Sequence, residues 1–227
     1  DESWHEVLRL IVGMIEPKFA VKIIENLIDK DDEKENFLNI FLAADCLEEV
    51  GSISALMPIY TRLHRDLKGL TQYRSNDWLN LPYVDANIIL EIRGKALASI
   101  ATIWKDDPET LHWLKTCALS DSDKDVDIRM NALEELAKGW RDDPDTLSII
   151  KNCTLSDNHP SVQDTAVMML SRYWKDKPDT VVWLKEKAKY DKSWLVRKAA
   201  VQELAKGWKD EPWLFELLRD RALNDPF

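Results

Sequence analysis

Four histidines (His5, His64, His112, His159) and three cysteines (Cys46, Cys117, Cys153) are the side chains of this 227-residue chain most able to hold a metal or attack a substrate. Their spacing suits neither task. No histidine pair stands in H-x-x-x-H, no cysteine pair stands in C-x-x-C, and no cysteine lies beside a histidine at ligand spacing. Neither a zinc site nor a redox dithiol is therefore predicted. The six glycines are scattered and none belongs to G-x-x-x-x-G-K-[ST], so no loop can cradle a phosphate. No serine or cysteine sits in a nucleophile elbow. Neighbouring carboxylates such as Glu134 and Glu135 could serve acid–base chemistry, but they read as a solvated helix face. The expectation is a chain without catalytic residues, cofactor or metal, and not an enzyme.

The elements that carry these residues follow from composition. Hydrophobic residues make up 45% of the chain, enough for a sizeable core, and glycine is scarce with no alternating β-branched runs. That balance predicts an all-α fold. A formal net charge of −10, with no segregated basic stripe, disfavours nucleic acid as a partner. The most apolar run, Phe37 to Ala44, falls far short of the roughly 20 residues that span a bilayer. An odd cysteine count argues against a disulfide framework, so a soluble cytoplasmic protein is expected.

Self-similarity sets the organisation. Trp104, Trp140, Trp174 and Trp208 are separated by 36, 34 and 34 residues, and each opens the same phrase: Trp104-Lys-Asp-Asp-Pro108, Trp140-Arg-Asp-Asp-Pro144, Trp174-Lys-Asp-Lys-Pro178, Trp208-Lys-Asp-Glu-Pro212. The phrase reads as a helix stop followed by a helix start. An acidic residue (Asp107, Asp143, Glu211) precedes a proline suited to the first helical position, and Lys177 breaks that column. After each proline, apolar residues recur at the third and sixth positions: Leu111 and Leu114, Leu147 and Ile150, Val181 and Leu184, Phe215 and Leu218. A second helix then returns to the next tryptophan. Its twelfth, eighth and fourth positions before that tryptophan are aliphatic, alanine and aliphatic: Ile128, Ala132 and Leu136 in one unit, Val162, Ala166 and Leu170 in the next. Those positions share one helix face, and the alanine permits close approach of a neighbour. The tryptophans themselves read as core or inter-repeat packing.

An Asp at the inter-helix turn, followed by an aliphatic residue and Arg and then the Ala and Leu stripe, resembles the HEAT repeat. The resemblance implies a right-handed α-α superhelix of about six hairpins, with turn Asp and Arg residues forming a ladder between stacked units. Asp123, Arg129, Asp157, Asp191 and Arg197 are the rungs it implies. Asn87 and Gln163 depart from the pattern, which predicts a weaker ladder there.

Before the regular repeats, Trp4–Ile15, Phe19–Ile28, Phe37–Val50 and Ile53–Leu67 carry apolar residues at spacings of three and four and predict two divergent hairpins. The expected division is thus 1–84, divergent, and 85–227, regular, with the last hairpin incomplete. A long connection near 68–84 holds Trp78 and Tyr83, which are either contact residues or packing along the array.

One departure inside the repeats points outward. Where other units carry Glu134 and Glu135 or Gln202 and Glu203, columns read as solvent-facing, the middle unit has Met168 and Met169, with Arg172 one turn on. Exposed methionines form an adaptable contact patch; the alternative is gap-filling between hairpins. On the contact reading, replacing both by glutamate leaves folding intact. The segments Trp4-His-Glu-Val-Leu-Arg-Leu-Ile and Asn39–Val50, with the phrase Ala200–Pro212, resemble the region following the NTPase module of bacterial, cyanobacterial-like NACHT-type STAND signalling ATPases. That resemblance implies a sensor or autoinhibitory array, with a protein trigger or the parent's own NTPase module as partner, in defence or stress signalling. The alternatives are a bilin-lyase-like HEAT protein, a stand-alone scaffold, or an alkylpurine glycosylase, the last disfavoured by the acidic charge.

Overall fold

The structure, a computed structural model, describes residues 2–50, 56–74, 86–120 and 125–224. Among them are twelve α-helices, one short 3-10 turn at Glu33–Glu35 and no strand, so the fold class is all-α. The chain divides into two compact units, Asp1–Thr110 and Leu111–Phe227. Within each, consecutive helices pack in the manner of a HEAT-like stack.

The first unit holds α1 (Glu2–Met14), α2 (Pro17–Asp29), α3 (Leu38–Val50), α4 (Met57–Leu70) and α5 (Ala86–Ile103). Helices α1 and α2 both pack on α3, and α3 and α4 on α5. Helix α2 illustrates why these segments are helical. Pro17 opens it after an extended Glu16, and its buried residues Ala20, Ile24 and Ile28 recur every four positions as one stripe. Between α2 and α3 the chain turns through Asn36 and Phe37, both with positive φ (55° and 58°). The Phe37 ring meets Tyr73 edge-on at 5.0 Å, and the Tyr73 hydroxyl donates to Glu33. That bridge anchors the start of the connection after α4. Helix α4 runs to Leu70, so Lys68–Leu70 belong to a helix and not to the expected long loop. Trp78 and Tyr83 lie outside the described residues.

Helix α6 (Pro108–Ala118) runs across the division, and the second unit continues with α7 (Val126–Gly139), α8 (Pro144–Ser156), α9 (Pro160–Tyr173), α10 (Pro178–Tyr190), α11 (Trp194–Gly207) and α12 (Pro212–Asn224). The return helices α7, α9 and α11 pack side by side, while α8 leans on α9 and α10 on α11. Each tryptophan of the repeated phrase closes a helix. The N–H of Trp140, Trp174 and Trp208 donates to the carbonyl four residues back, and the residue three further on donates to the tryptophan carbonyl. The proline then starts the next helix. Asp143 caps α8 by accepting from the N–H of Asp145 and Thr146, whereas Lys177 offers α10 no side-chain cap. The alanine column (Ala132, Ala166, Ala200) and the leucine column (Leu136, Leu170, Leu204) are fully buried, and Trp174 is buried with them.

Candidate interaction face

The two columns expected to face solvent separate once the helices are placed. Glu134 and Met168 are half-buried and Gln202 is exposed, so that column reaches the surface. The column beside it turns inward: Met169 is fully buried, Glu203 is 9% exposed, and the Glu135 side chain keeps 13% of its surface. The expectation that Met169, Glu135 and Glu203 face solvent is therefore corrected. The reason is helical geometry. These residues follow the buried alanines Ala132, Ala166 and Ala200 by three positions, which places them on the same face, under the neighbouring return helix.

Burial leaves two carboxylates to be accommodated. Glu203 accepts from Ser171 Oγ of α9 at 3.0 Å and from Lys206 Nζ at 2.7 Å. Ser171 stands where the preceding units have Ala101 and Ala137, so the polar pair is a local exchange for the apolar combination of Ala137 and Met169 in the same register. Glu135 pairs with Lys138 at 3.6 Å. Burial, only partly offset by Lys138, raises its carboxyl above the usual range.

Three of the expected contact residues converge. Met168, Arg172 and Glu203 line one cleft of about 270 Å³ between α9 and α11, together with Ser171, Lys175, Lys206 and Gly207. Arg172 is exposed, and Lys175 Nζ lies 5.5 Å over the Trp208 ring. The cleft thus joins Met168 to the cations Arg172, Lys175 and Lys206, the last of them paired with Glu203 at 2.7 Å. Such a surface suits an apolar side chain flanked by carboxylates. Glu134 lies on α7, one unit away from it.

The ladder is drawn in more than one way. Arg129 is fully buried; its Nε lies 3.1 Å from Asp157 Oδ2, and Nη2 donates to Asp157 Oδ1 at 3.2 Å, tying α7 to the turn that opens α9. Arg197 donates to the carbonyls of Asp191 and Lys192 at its own turn. Gln163 makes the equivalent bond to the Asp157 carbonyl at 2.7 Å, so the substitution keeps the turn-closing bond. Asp157 and Asp191 also accept from the N–H two residues on, at His159 and Ser193. Asp123 lies outside the described residues.

Two of the three cysteines, Cys46 and Cys153, are buried. Burial pushes the Cys46 thiol up to about 12 and that of Cys153 to about 11. Among the described residues no group of His, Cys, Asp and Glu is placed to hold a metal, and no helix is long and apolar enough to cross a membrane. In the first unit, a hollow of about 680 Å³ is walled by Tyr60, His64 and Trp104, whose rings pack on one another at 5.9 and 4.7 Å. This is packing by a phrase tryptophan, as its periodicity implied.

Tandem helical hairpins with a mixed apolar and cationic cleft define a repeat-array class of protein. The sequence agrees, since residues 118–205 match the family of HEAT repeats. Such repeats suggest a protein-interaction or scaffold module. No curated protein and no solved structure matches the chain.

Proposed function

We propose that the chain is a non-enzymatic protein-contact array that serves a NACHT-type signalling ATPase as sensor or autoinhibitory module. The observation that carries the contact reading is the α9–α11 cleft, which gathers Met168 and Arg172 with two lysines on the packed return helices. The NACHT assignment rests on the resemblance of Trp4–Ile11, Asn39–Val50 and Ala200–Pro212. An array of this kind shifts an inactive state only if it makes different contacts in the two states. The test is the ATPase activity of the parent protein with and without this array, and with Met168→Glu and Arg172→Glu. Raised basal activity on deletion and in the double variant supports autoinhibition through the cleft. Equal activity in all three counts against it.

A further inference from the structure

A cation stands two residues before the closing tryptophan in each return helix of the second unit: Lys138 in α7, Arg172 in α9 and Lys206 in α11. In α7 and α11 it has a carboxylate one turn earlier. Lys138 Nζ lies 3.6 Å from Glu135 and Lys206 Nζ 2.7 Å from Glu203, both at the i, i+3 spacing that brings side chains together. In α9 that position is Met169, an apolar residue with no exposed surface. The column beside it supplies no replacement, since Met168 stands where α7 has Glu134. The middle helix has therefore lost the carboxylates of its column and kept the cation.

Of the three cations lining the α9–α11 cleft, Lys206 is taken by Glu203 and Lys175 lies over the Trp208 ring. Arg172 is exposed and, among the described residues, makes no ion pair. It is also the arginine of its column. A guanidinium offers a planar fork that grips both oxygens of one carboxylate, which the ammonium of a lysine cannot do. Met168, four residues earlier on the same helix, sets an apolar side chain beside that fork in a cleft of about 270 Å³. The cleft opens on the side of the stack: Met168 stays half-buried although α11 is already packed against α9.

We infer that Arg172 is the carboxylate-recognition residue of this cleft: an acidic segment of a partner protein supplies the carboxylate that Glu135 and Glu203 supply in the neighbouring helices, and an apolar residue next to it packs on Met168. The inference rests on the reading of the cleft as a contact site and names the partner chemistry. The probe is a fluorescein-labelled, C-amidated peptide, Gly-Glu-Leu-Glu-Leu-Glu-Gly, with a control carrying glutamine at every glutamate. Fluorescence anisotropy with the full chain is expected to give saturable binding, weakened at least about tenfold by the glutamine control, by Arg172→Gln, and by Met168→Glu, which offers Arg172 an internal carboxylate at i, i+4. Lys192→Gln, which removes an exposed cation elsewhere on the second unit, should leave binding unchanged. Circular dichroism checks that each variant is folded. Absence of saturable binding, equal binding of the glutamine peptide, or equal losses in Arg172→Gln and Lys192→Gln overturns the inference. So does a dimer of the chain, seen by sedimentation, that Arg172→Gln dissolves, because the occupant is then a second copy. Failure of the functional reading is separable: Arg172-dependent peptide binding with parent ATPase activity indifferent to Arg172→Glu ends autoinhibition and leaves the recognition standing, whereas an ATPase response without peptide binding does the reverse.

Discussion

Adjacent residues on one helix meet different fates here, and that difference is measurable. Met168 lines a surface cleft while Met169 has no exposed surface. Met168→Glu is expected to change stability by no more than about 0.5 kcal/mol, and Met169→Glu to cost about 3 kcal/mol or more by burying an unpaired carboxylate. Urea denaturation of the two single variants decides it; similar midpoints would show that both residues face solvent. Glu135 tests the same column through pH. Burial raises its folded carboxyl above the unfolded value, so its contribution to stability is fully present below the unfolded pKa and is lost as pH rises through the folded one. Glu135→Gln should therefore raise the melting temperature at pH 7 and do so much less at pH 4. A gain of equal size at both values would remove ionisation from the explanation.

Among the elements, helix starts obey local chemistry closely enough to be redesigned. Asp143 caps α8 through two backbone N–H groups and is also held by Lys115 at 2.7 Å, while Lys177 leaves α10 without a side-chain cap behind the same proline. Lys177→Asp is expected to stabilise the chain by about 1 kcal/mol, seen as a higher denaturation midpoint with an unchanged slope. No gain would mean the extended backbone at Lys177 cannot aim a carboxylate at Thr180. These starts were legible in the sequence because proline, capping Asp and closing tryptophan act within a few residues of one another. The periodic columns were legible too, since a spacing of four returns to one helix face. What the sequence concealed was the width of the buried stripe. Whether the position three residues after the alanine is covered depends on how closely the neighbouring return helix approaches, and a glutamate there looks like a surface residue. Ser171 was the available signal: a polar residue in an alanine column, opposite Glu203.

For the molecule as a whole, a stack of hairpins derives its stability from each unit and from the interfaces between neighbours. Arg129 and Asp157 form such an interface with the arginine fully buried. Asp157→Ala leaves that guanidinium buried without its carboxylate, at a cost of about 3–5 kcal/mol, whereas Arg129→Met combined with Asp157→Ala removes both charges and should recover most of the loss. The loss should also be local in a way a globular core would not allow. Coupling runs only between neighbours, so hydrogen exchange in Asp157→Ala should lose protection in α7 and the start of α9 first, while α10 and α11 retain theirs. Their own core, Leu184, Ala188, Ala200 and Leu204, does not involve the broken pair. Uniform loss of protection from α7 to α11 would show that the second unit unfolds as a single cooperative body, and a cost below about 1 kcal/mol would show that the buried pair contributes no more than an exposed one.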